Sequence, residues 1–225
     1  MDRPSLFVPT LDAGPFDVRP WRLSDADLLR EAAADPYIPL VTTVPGRYDA
    51  GSAREFVERQ WAKAANGSGY SFAVARRADE RAVGFVGLFP QGDGRASIGY
   101  WTAASARGQG VAGHALRAVA GWALGELCLA RLELHIEPWN VGSLRTAERA
   151  GFRREGLLRS HRTIAGERRD MALYALLPAD LARHTADLAQ QAADAVAGVV
   201  AAANSSPLVP HSDHLRHSPA RSARC

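Results

Sequence analysis

Apolar residues recur along the chain with two different periods, and each period predicts one kind of element. After residue 110 they return at intervals of three and four, which is typical of a helix with one buried face. Over residues 131–137 apolar and polar residues alternate strictly, with Glu133, His135 and Glu137 at the polar positions. This alternation predicts a half-buried strand whose polar side faces a cleft or solvent.

Shorter apolar runs, separated by turn residues, complete the predicted sheet. Short connections favour antiparallel neighbours, and apolar residues on both faces of 170–177 predict an inner strand. Further helices are expected after the N-caps Ser24 and Asn140 and over residues 52–65. The pattern indicates an α/β (α+β) layer fold with a mixed, mostly antiparallel sheet of about seven strands and about four flanking helices. The predicted strands cover residues 16–21, 70–75, 82–89, 96–102, 131–137, 152–158 and 170–177.

Composition changes at both ends of this pattern and divides the chain into four parts. Residues 1–15 are expected to be an irregular lead-in, because they contain three prolines and a glycine. The folded domain spans residues 16–178, and an Ala-rich helical extension covers residues 179–203. That helix can cap the core or pair two chains as a homodimer. Residues 204–225 have almost no apolar content, which predicts a disordered tail.

Charge and cysteine content restrict the class of function. The net charge is only +3 and no long Lys/Arg run occurs, so we predict no nucleic-acid partner. The chain shows no signal-peptide pattern and no apolar run of about 18 residues, so no membrane partner is expected. Cys128 and Cys225 argue against a structural disulfide and fit a cytoplasmic location. His211, His214 and His217 could bind a metal ion, but no matching ligand set accompanies them and we predict no metal.

A Gly-rich turn joins the strand at 96–102 to the helix after residue 110. Residues 107–112 read R-x-x-G-x-A, and Gly108 and Gly110 have no Cβ to keep an anion away from the backbone. A helix start offers unpaired N–H groups and the positive end of the helix dipole, which together suit a diphosphate. The same pattern also fits an ordinary strand-to-helix turn, and the two readings stay open on this stretch alone.

Four motifs together resemble the GNAT superfamily of acyl-CoA N-acyltransferases, and within it the RimJ/RimL-like ribosomal-protein N-acetyltransferases. The likeness covers residues 16–177. The motifs are Ile98-Gly99-Tyr100-Trp101, the turn at 107–112, Pro138-x-Asn140-x-x-Ser143 and Gly151-Phe152-x-x-Glu155-Gly156.

This resemblance implies a central parallel pair of strands, 96–102 and 131–137, that splay apart around acetyl-CoA. The pantetheine arm would pair with backbone groups of Tyr100, Trp101 and Thr102, and Asn140 would contact the same arm. The diphosphate would rest on amides of the turn, to which the Arg107 side chain could add charge. The residues implied there are Arg107, Gly108, Gln109, Gly110, Val111 and Ala112.

The chemistry implied is direct attack of an amine on the thioester. A backbone N–H near Trp101 or Thr102 is the candidate donor to the carbonyl oxygen, and Ser143 is the candidate proton donor to the thiolate. Capping of the helix after Asn140 is the alternative role of Ser143. Similar proteins often carry Glu where this chain has Ser97, which leaves the base in doubt.

Three polar residues of the strand 131–137 are candidates for that base. Glu137 is the first choice among Glu133, His135 and Glu137, because it lies nearest the C-terminal end of the strand. Each of them also fits a solvated strand residue.

The acceptor is expected to contact the loop at 37–48, which is apolar and broken by prolines. Its candidates are Tyr37, Val41 and Tyr48, and the alternative is that the loop only covers the core. An α-amine is far more often neutral at pH 7 than lysine, which favours an N-terminal acceptor.

Two other functions stay open. One is acetylation of a small amine such as a polyamine, an amino acid or an aminoglycoside-like antibiotic, and the other is a non-catalytic acyl-CoA sensor. Arginines at 159–169 favour an acidic or peptide-like acceptor over a polycation, unless they belong to a solvated hairpin. These arginines are Arg159, Arg162, Arg168 and Arg169.

Overall fold

One mixed sheet of eight strands carries the fold in the computed structural model, which describes residues 6–204. Its order is β1-β2-β3-β4-β5-β6-β8-β7, and every neighbouring pair is antiparallel except β5 and β6. The inner position predicted for the last strand is confirmed, because β8 lies between β6 and β7. The strands are β1 Leu11–Ala13, β2 Phe16–Pro20, β3 Tyr70–Arg76, β4 Ala82–Gly92, β5 Arg95–Thr102, β6 Arg131–Ile136, β7 Arg153–Ile164 and β8 Glu167–Leu176.

Strand β1 was not predicted and lies in the segment 1–15, which was expected to be irregular. Leu11–Ala13 pairs with β2 through a two-residue turn, in which Ala13 lies opposite Phe16 and Gly14 has a φ of +68°. Three residues are too few to show an alternating pattern, so this hairpin has no periodic signal in the sequence. It adds one short strand at the edge of the sheet.

Six α-helices occur in the described part of the chain, and two of them begin differently from the prediction. Ser24 lies inside a 3₁₀ turn, Leu23–Asp25, that precedes α1. The third helix begins two residues before Ser52, because Asp49 caps it and exchanges hydrogen bonds with Ser52. The helices are α1 Ala26–Ala34, α2 Ile38–Val41, α3 Ala50–Ala65, α4 Val111–Gly125, α5 Val141–Arg149 and α6 Pro178–Asn204.

Side chains on the two faces of the sheet form two cores. On one face Val86 and Ile98 pack with Leu116 of α4, and α5 covers the same side. On the other face Phe85 and Trp101 pack with helices α1 and α3. Neighbouring residues of a strand therefore serve opposite cores, as the period of two requires.

Strands β7 and β8 form a longer hairpin than the apolar pattern predicts. A two-residue turn joins them, with Ile164 paired to Glu167 and positive φ at both Ala165 (+49°) and Gly166 (+83°). These angles are those of a type I′ turn. The arginines of the segment 159–169 belong to this exposed hairpin. Its far end is polar and therefore shows no alternation of apolar and polar residues that would predict a strand.

The C-terminal helix α6 starts at Pro178 and runs across a boundary between two units. The first unit ends at His184, and the structure describes the second unit as far as residue 204. Asp180 holds the start of α6 by accepting the Leu177 amide at 3.3 Å and the Arg183 guanidinium at 2.6 Å. The predicted tail lies outside the described residues from 205 onward, as do its three histidines. No helix within residues 6–204 is long and apolar enough to cross a membrane.

Candidate active site

The parallel strands β5 and β6 separate partway along their length. Three register pairs join them, and the last is Ser97 opposite Glu133. Beyond that pair β5 follows β4 as far as Thr102, while β6 follows β8 as far as Ile136. A cavity of about 660 Å³ opens there, lined by residues of both strands. The splayed pair implied by the resemblance is therefore present.

The cavity collects residues that are distant in the sequence. One wall comes from the segment that includes α2, and another comes from the start of α5. Seven of the predicted site residues line it: Tyr37, Val41, Tyr100, Trp101, Glu137, Asn140 and Ser143.

The other eight predicted site residues do not line the cavity: Tyr48, Thr102 and the six residues of the turn at 107–112. Tyr48 packs against the core on the α1 side, and the Arg30 guanidinium lies over its ring at 4.4 Å from the centroid. Thr102 ends β5, and its buried hydroxyl has no hydrogen-bond partner among the described residues.

The Gly-rich turn leads directly into α4. Gly108 and Gly110 have φ angles of +77° and +79°, a conformation that glycine adopts without strain. A Cβ at Gly108 would meet no described atom within 4 Å, so the space beside this residue is open. The first amides of α4 have no intrahelical acceptors. The turn thus combines open space at Gly108 with the amides of a helix start, the features that favour anion binding in general.

The Arg107 side chain forms an ion pair with Asp35. Its guanidinium lies 2.5 Å from Asp35, which also accepts the backbone amides of Tyr37 and Ile38. Burial raises the pKa of Asp35, but the two amides and Arg107 outweigh it and lower that pKa below its ordinary value. The Arg107 guanidinium is therefore already paired within the protein.

The start of α5 is fixed by two hydrogen bonds. The Ser143 amide donates to Oδ1 of Asn140 at 3.1 Å, so Asn140 is the N-cap that the sequence predicts. The Tyr100 hydroxyl donates to the Ser143 carbonyl at 3.1 Å and ties α5 to β5. Burial raises the pKa of Tyr100, so this phenol stays neutral. Ser143 itself lines the cavity beside these partners.

Glu137 lies just after β6 and is buried, with 5% of its surface exposed. Its carboxylate accepts a short hydrogen bond from the Tyr37 hydroxyl, and the Tyr37 ring meets Trp139 edge-on at 4.9 Å. Burial and then this hydrogen bond raise the pKa of Tyr37 far above its ordinary value. The phenol therefore stays protonated and holds one side of the carboxylate that the sequence offers as base.

The other polar residues of β6 also line the cavity, each with a partner. Glu133 accepts a hydrogen bond from Arg131 at 2.6 Å. His135 stacks on His161 with ring centroids 4.9 Å apart, and burial, followed by the charge of His161, lowers the pKa of His135. The predicted polar face of this strand thus turns towards the cavity. Ser97 lies beside it, and its hydroxyl accepts from Gln91 at 3.3 Å.

Comparison with known proteins supplies the family. The family model for the acetyltransferase (GNAT) domain matches residues 16–153. The chain belongs to the GNAT acetyltransferases. Among residues 6–204 of this acetyltransferase, no three His, Cys, Asp or Glu side chains converge in a way that could hold a metal ion.

Individual relatives agree with this membership. An uncharacterized N-acetyltransferase, p20 of Bacillus licheniformis, is 27% identical over 175 residues, which cover 77% of this chain and 98% of the relative. The structure of Mycobacterium smegmatis RimJ in complex with CoA-disulfide is 30% identical, with a TM-score of 0.67 over 77% of this chain and 88% of RimJ. A Vibrio cholerae protein proposed to be a ribosomal-protein-serine acetyltransferase is 25% identical, with a TM-score of 0.66 over 76% of this chain and all of that one.

The acetyltransferase cavity has one wall that sequence reasoning missed. Helix α3 contributes Phe56, Gln60 and Lys63, spaced at i, i+4 and i+7. This spacing marks one helical face and is the signal that could have grouped Lys63 with the inward residues. On the opposite side the β7–β8 hairpin adds Arg162, so the basic segment reaches the cavity through one of its four arginines.

Proposed function

We propose that this GNAT protein transfers the acetyl group of acetyl-CoA to the N-terminal α-amine of a protein or peptide. The observation that carries the proposal is the separation of β5 and β6 beside the turn that starts α4. The strands leave room for an extended arm, and the open space at Gly108 leaves room for a diphosphate. When bound, acetyl-CoA supplies a thioester that an amine attacks directly.

Each residue of the site has a proposed role. Amides from Arg107 to Ala112 hold the diphosphate, while Asn140 and the β5 backbone near Tyr100 hold the arm. A backbone N–H near Trp101 or Thr102 donates to the carbonyl oxygen as that oxygen gains charge. The Ser143 hydroxyl gives a proton to the departing thiolate.

The state of the cavity carboxylates favours an acceptor that needs little help from a base. Glu133 is bonded to Arg131 and Glu137 to Tyr37, and Ser97 is not a base at neutral pH without help. An α-amine of pKa about 8 is roughly a tenth to a fifth neutral near pH 7.4, whereas a lysine of pKa about 10.4 is only about a thousandth neutral. An α-amine therefore reacts with water as the proton acceptor, and Glu137 acts as an auxiliary base at most.

The cations of the cavity disfavour a polycationic acceptor. Arg162 and Lys63 line it, and both are basic side chains. A polyamine or an aminoglycoside would place several more cations beside them, which costs free energy in a partly dry site. A peptide carries its one reactive amine without that penalty.

The test is an acetyl transfer assay with matched acceptors. Purified protein and acetyl-CoA are mixed with a peptide that has a free α-amine and no lysine. Parallel reactions contain the same peptide with a blocked α-amine and one lysine, a polyamine and an aminoglycoside. CoA release gives the rate, and product mass gives the acetylated position.

We expect acetylation of the free α-amine, a large loss of rate in Ser143→Ala and a small one in Glu137→Gln. Product from the blocked lysine peptide or the small amines alone would contradict the proposed acceptor. A rate unaffected by Ser143→Ala would show that the Ser143 hydroxyl is not the proton donor.

A further inference from the structure

Lys63 is the only lysine of the chain, and it lies on the wall of the acceptor cavity formed by α3. The 27 basic residues otherwise consist of arginine. Its side chain is half-buried, and its ammonium lies 5.4 Å from the centroid of the Phe89 ring, which lines the same cavity. A half-buried cation without a counter-ion is partly desolvated, so an anionic ligand would stabilise it.

The hydrogen bonds around Lys63 use neutral groups only. Its ammonium donates to Oε1 of Gln60 at 2.6 Å, and the buried Ser71 hydroxyl donates to the same oxygen at 2.9 Å. The Gln60 amide nitrogen donates to the Phe56 carbonyl at 3.0 Å, which fixes the orientation of the amide. An ammonium has three N–H donors, and the acceptor given for Lys63 is the neutral amide oxygen of Gln60. No carboxylate of the described residues forms an ion pair with Lys63.

A second basic side chain, Arg59, lies near Lys63 on the same helix and forms an ion pair with Glu55 at 3.8 Å. Burial lowers the pKa of Lys63, and the charge of Arg59 one turn earlier lowers it further. Arg59 also reaches towards the cavity wall, with a hydrogen bond to the Thr43 carbonyl at 3.4 Å. A nearby anion would relieve both effects.

We infer that Lys63, oriented by Gln60, binds a carboxylate of the acceptor, so that the preferred acceptor is an amine that also carries a carboxylate. The inference rests on the proposed function, because it assigns a substrate class to the same cavity. One ammonium matches the single charge of a carboxylate, whereas a phosphate favours several converging donors. The carboxylate belongs either to an acidic side chain of a peptide or to a free amino acid.

The first experiment compares acceptors that differ only in that charge. Peptides with a free α-amine carry either Asp or Asn at the second or third position, and the α-amide of aspartate, which keeps the side-chain carboxylate, is compared with aspartate diamide. For the wild type we expect kcat/KM to favour the acidic member of a pair by about tenfold or more, the usual range for a hydrogen bond to a charged group. Preference within the peptide pairs identifies a protein acceptor, and preference within the amino-acid pair identifies a small one.

Variants test whether Lys63 causes the preference for an acidic acceptor. Lys63→Met keeps the length of the side chain without its charge and should abolish the preference, while Lys63→Arg should retain part of it. Gln60→Glu supplies an internal carboxylate and should also abolish it, because Lys63 is then paired. Arg54→Met is the matched control, since Arg54 lies on the same helix, is 65% exposed and pairs with Glu58 outside the cavity. Equal preference in the wild type and in Lys63→Met would overturn the inference.

A second measurement needs no turnover and so separates this inference from the proposed function. Reductive methylation of the wild type with formaldehyde modifies only the chain's α-amine and Lys63, and peptide masses distinguish them. We expect glutarate to slow the modification of Lys63 at least several-fold, and glutaramide to leave it unchanged. Equal rates with both probes would overturn the carboxylate site even if the enzyme is active. Protection without any acetyl transfer would support the site and refute the proposed function.

Discussion

A methyl group at Gly108 tests whether the turn before α4 binds the diphosphate. Gly108 has a φ of +77°, and an alanine there costs about 1–2 kcal/mol because its Cβ crowds the backbone in that conformation. The new methyl would point into space that holds no described atom within 4 Å. In the free protein its only cost is the backbone strain, whereas if CoA binds as proposed the methyl would lie where the phosphates approach the amides.

The matched control is Gly166→Ala in the β7–β8 turn. Gly166 has a φ of +83°, and its Cβ would also meet no described atom within 4 Å. Both variants should therefore lose about 1–2 kcal/mol of unfolding free energy, measured by urea denaturation.

Binding of CoA should separate the two variants. Loss of one charge-assisted hydrogen bond costs about 1.5–3 kcal/mol, which weakens binding roughly 10- to 150-fold. We expect that loss for Gly108→Ala in titration calorimetry and an unchanged Kd for Gly166→Ala. If the two variants bind CoA with the same Kd, the diphosphate does not contact this turn.

Three further predictions concern the supports of the site. Asn140→Ala should cost about 1 kcal/mol of unfolding free energy, because the Ser143 amide loses its cap. Asn140→Asp should retain most of the wild-type stability, and equal stability of the Ala and Asp variants would exclude the cap. Asp25→Ala leaves the Arg19 guanidinium, paired at 2.7 Å and almost fully buried, without a counter-ion and should cost about 3–5 kcal/mol in a denaturation experiment, whereas a loss below about 1 kcal/mol would contradict this. Burial lowers the pKa of His135 below its ordinary 6.5, so the unfolded chain binds more protons below that pH, and stability should rise with pH up to about 6.5 and then level off. His135→Gln should reduce this slope in denaturation curves measured from about pH 5.5 to 7.5, and an unchanged slope would assign it to other groups.

Local patterns in the sequence predicted most of the fold. The alternation over 131–137 gave both the strand β6 and its polar face, because a period of two depends only on neighbouring residues. The turn at 107–112 and the cap at Asn140 are equally local. The hairpin of β1 and β2 was missed because three residues are too short for a period, and the full β7–β8 hairpin because its far end is polar.

The candidate site was predictable only in part, because its contacts join distant residues. Tyr37 and Glu137 were both named from the sequence, but no local pattern predicts that the phenol donates to that carboxylate across 100 positions. The same holds for Arg107 and Asp35, where an expected phosphate ligand is paired elsewhere. Tyr48 was placed in the acceptor loop by its neighbours in the sequence, whereas in the structure it contacts Arg30 and the core on the α1 side.

The single lysine has a consequence for the enzyme's own integrity. Acetyl-CoA also acylates exposed amines slowly without a catalyst, and each such event removes a positive charge. A surface whose cations are guanidinium groups offers no amine for that reaction and keeps its charge at every physiological pH. Apart from the chain's α-amine, Lys63 carries the one side-chain amine of the sequence. Uncatalysed acylation of a side-chain amine would therefore fall on the residue that we propose binds the carboxylate of the acceptor.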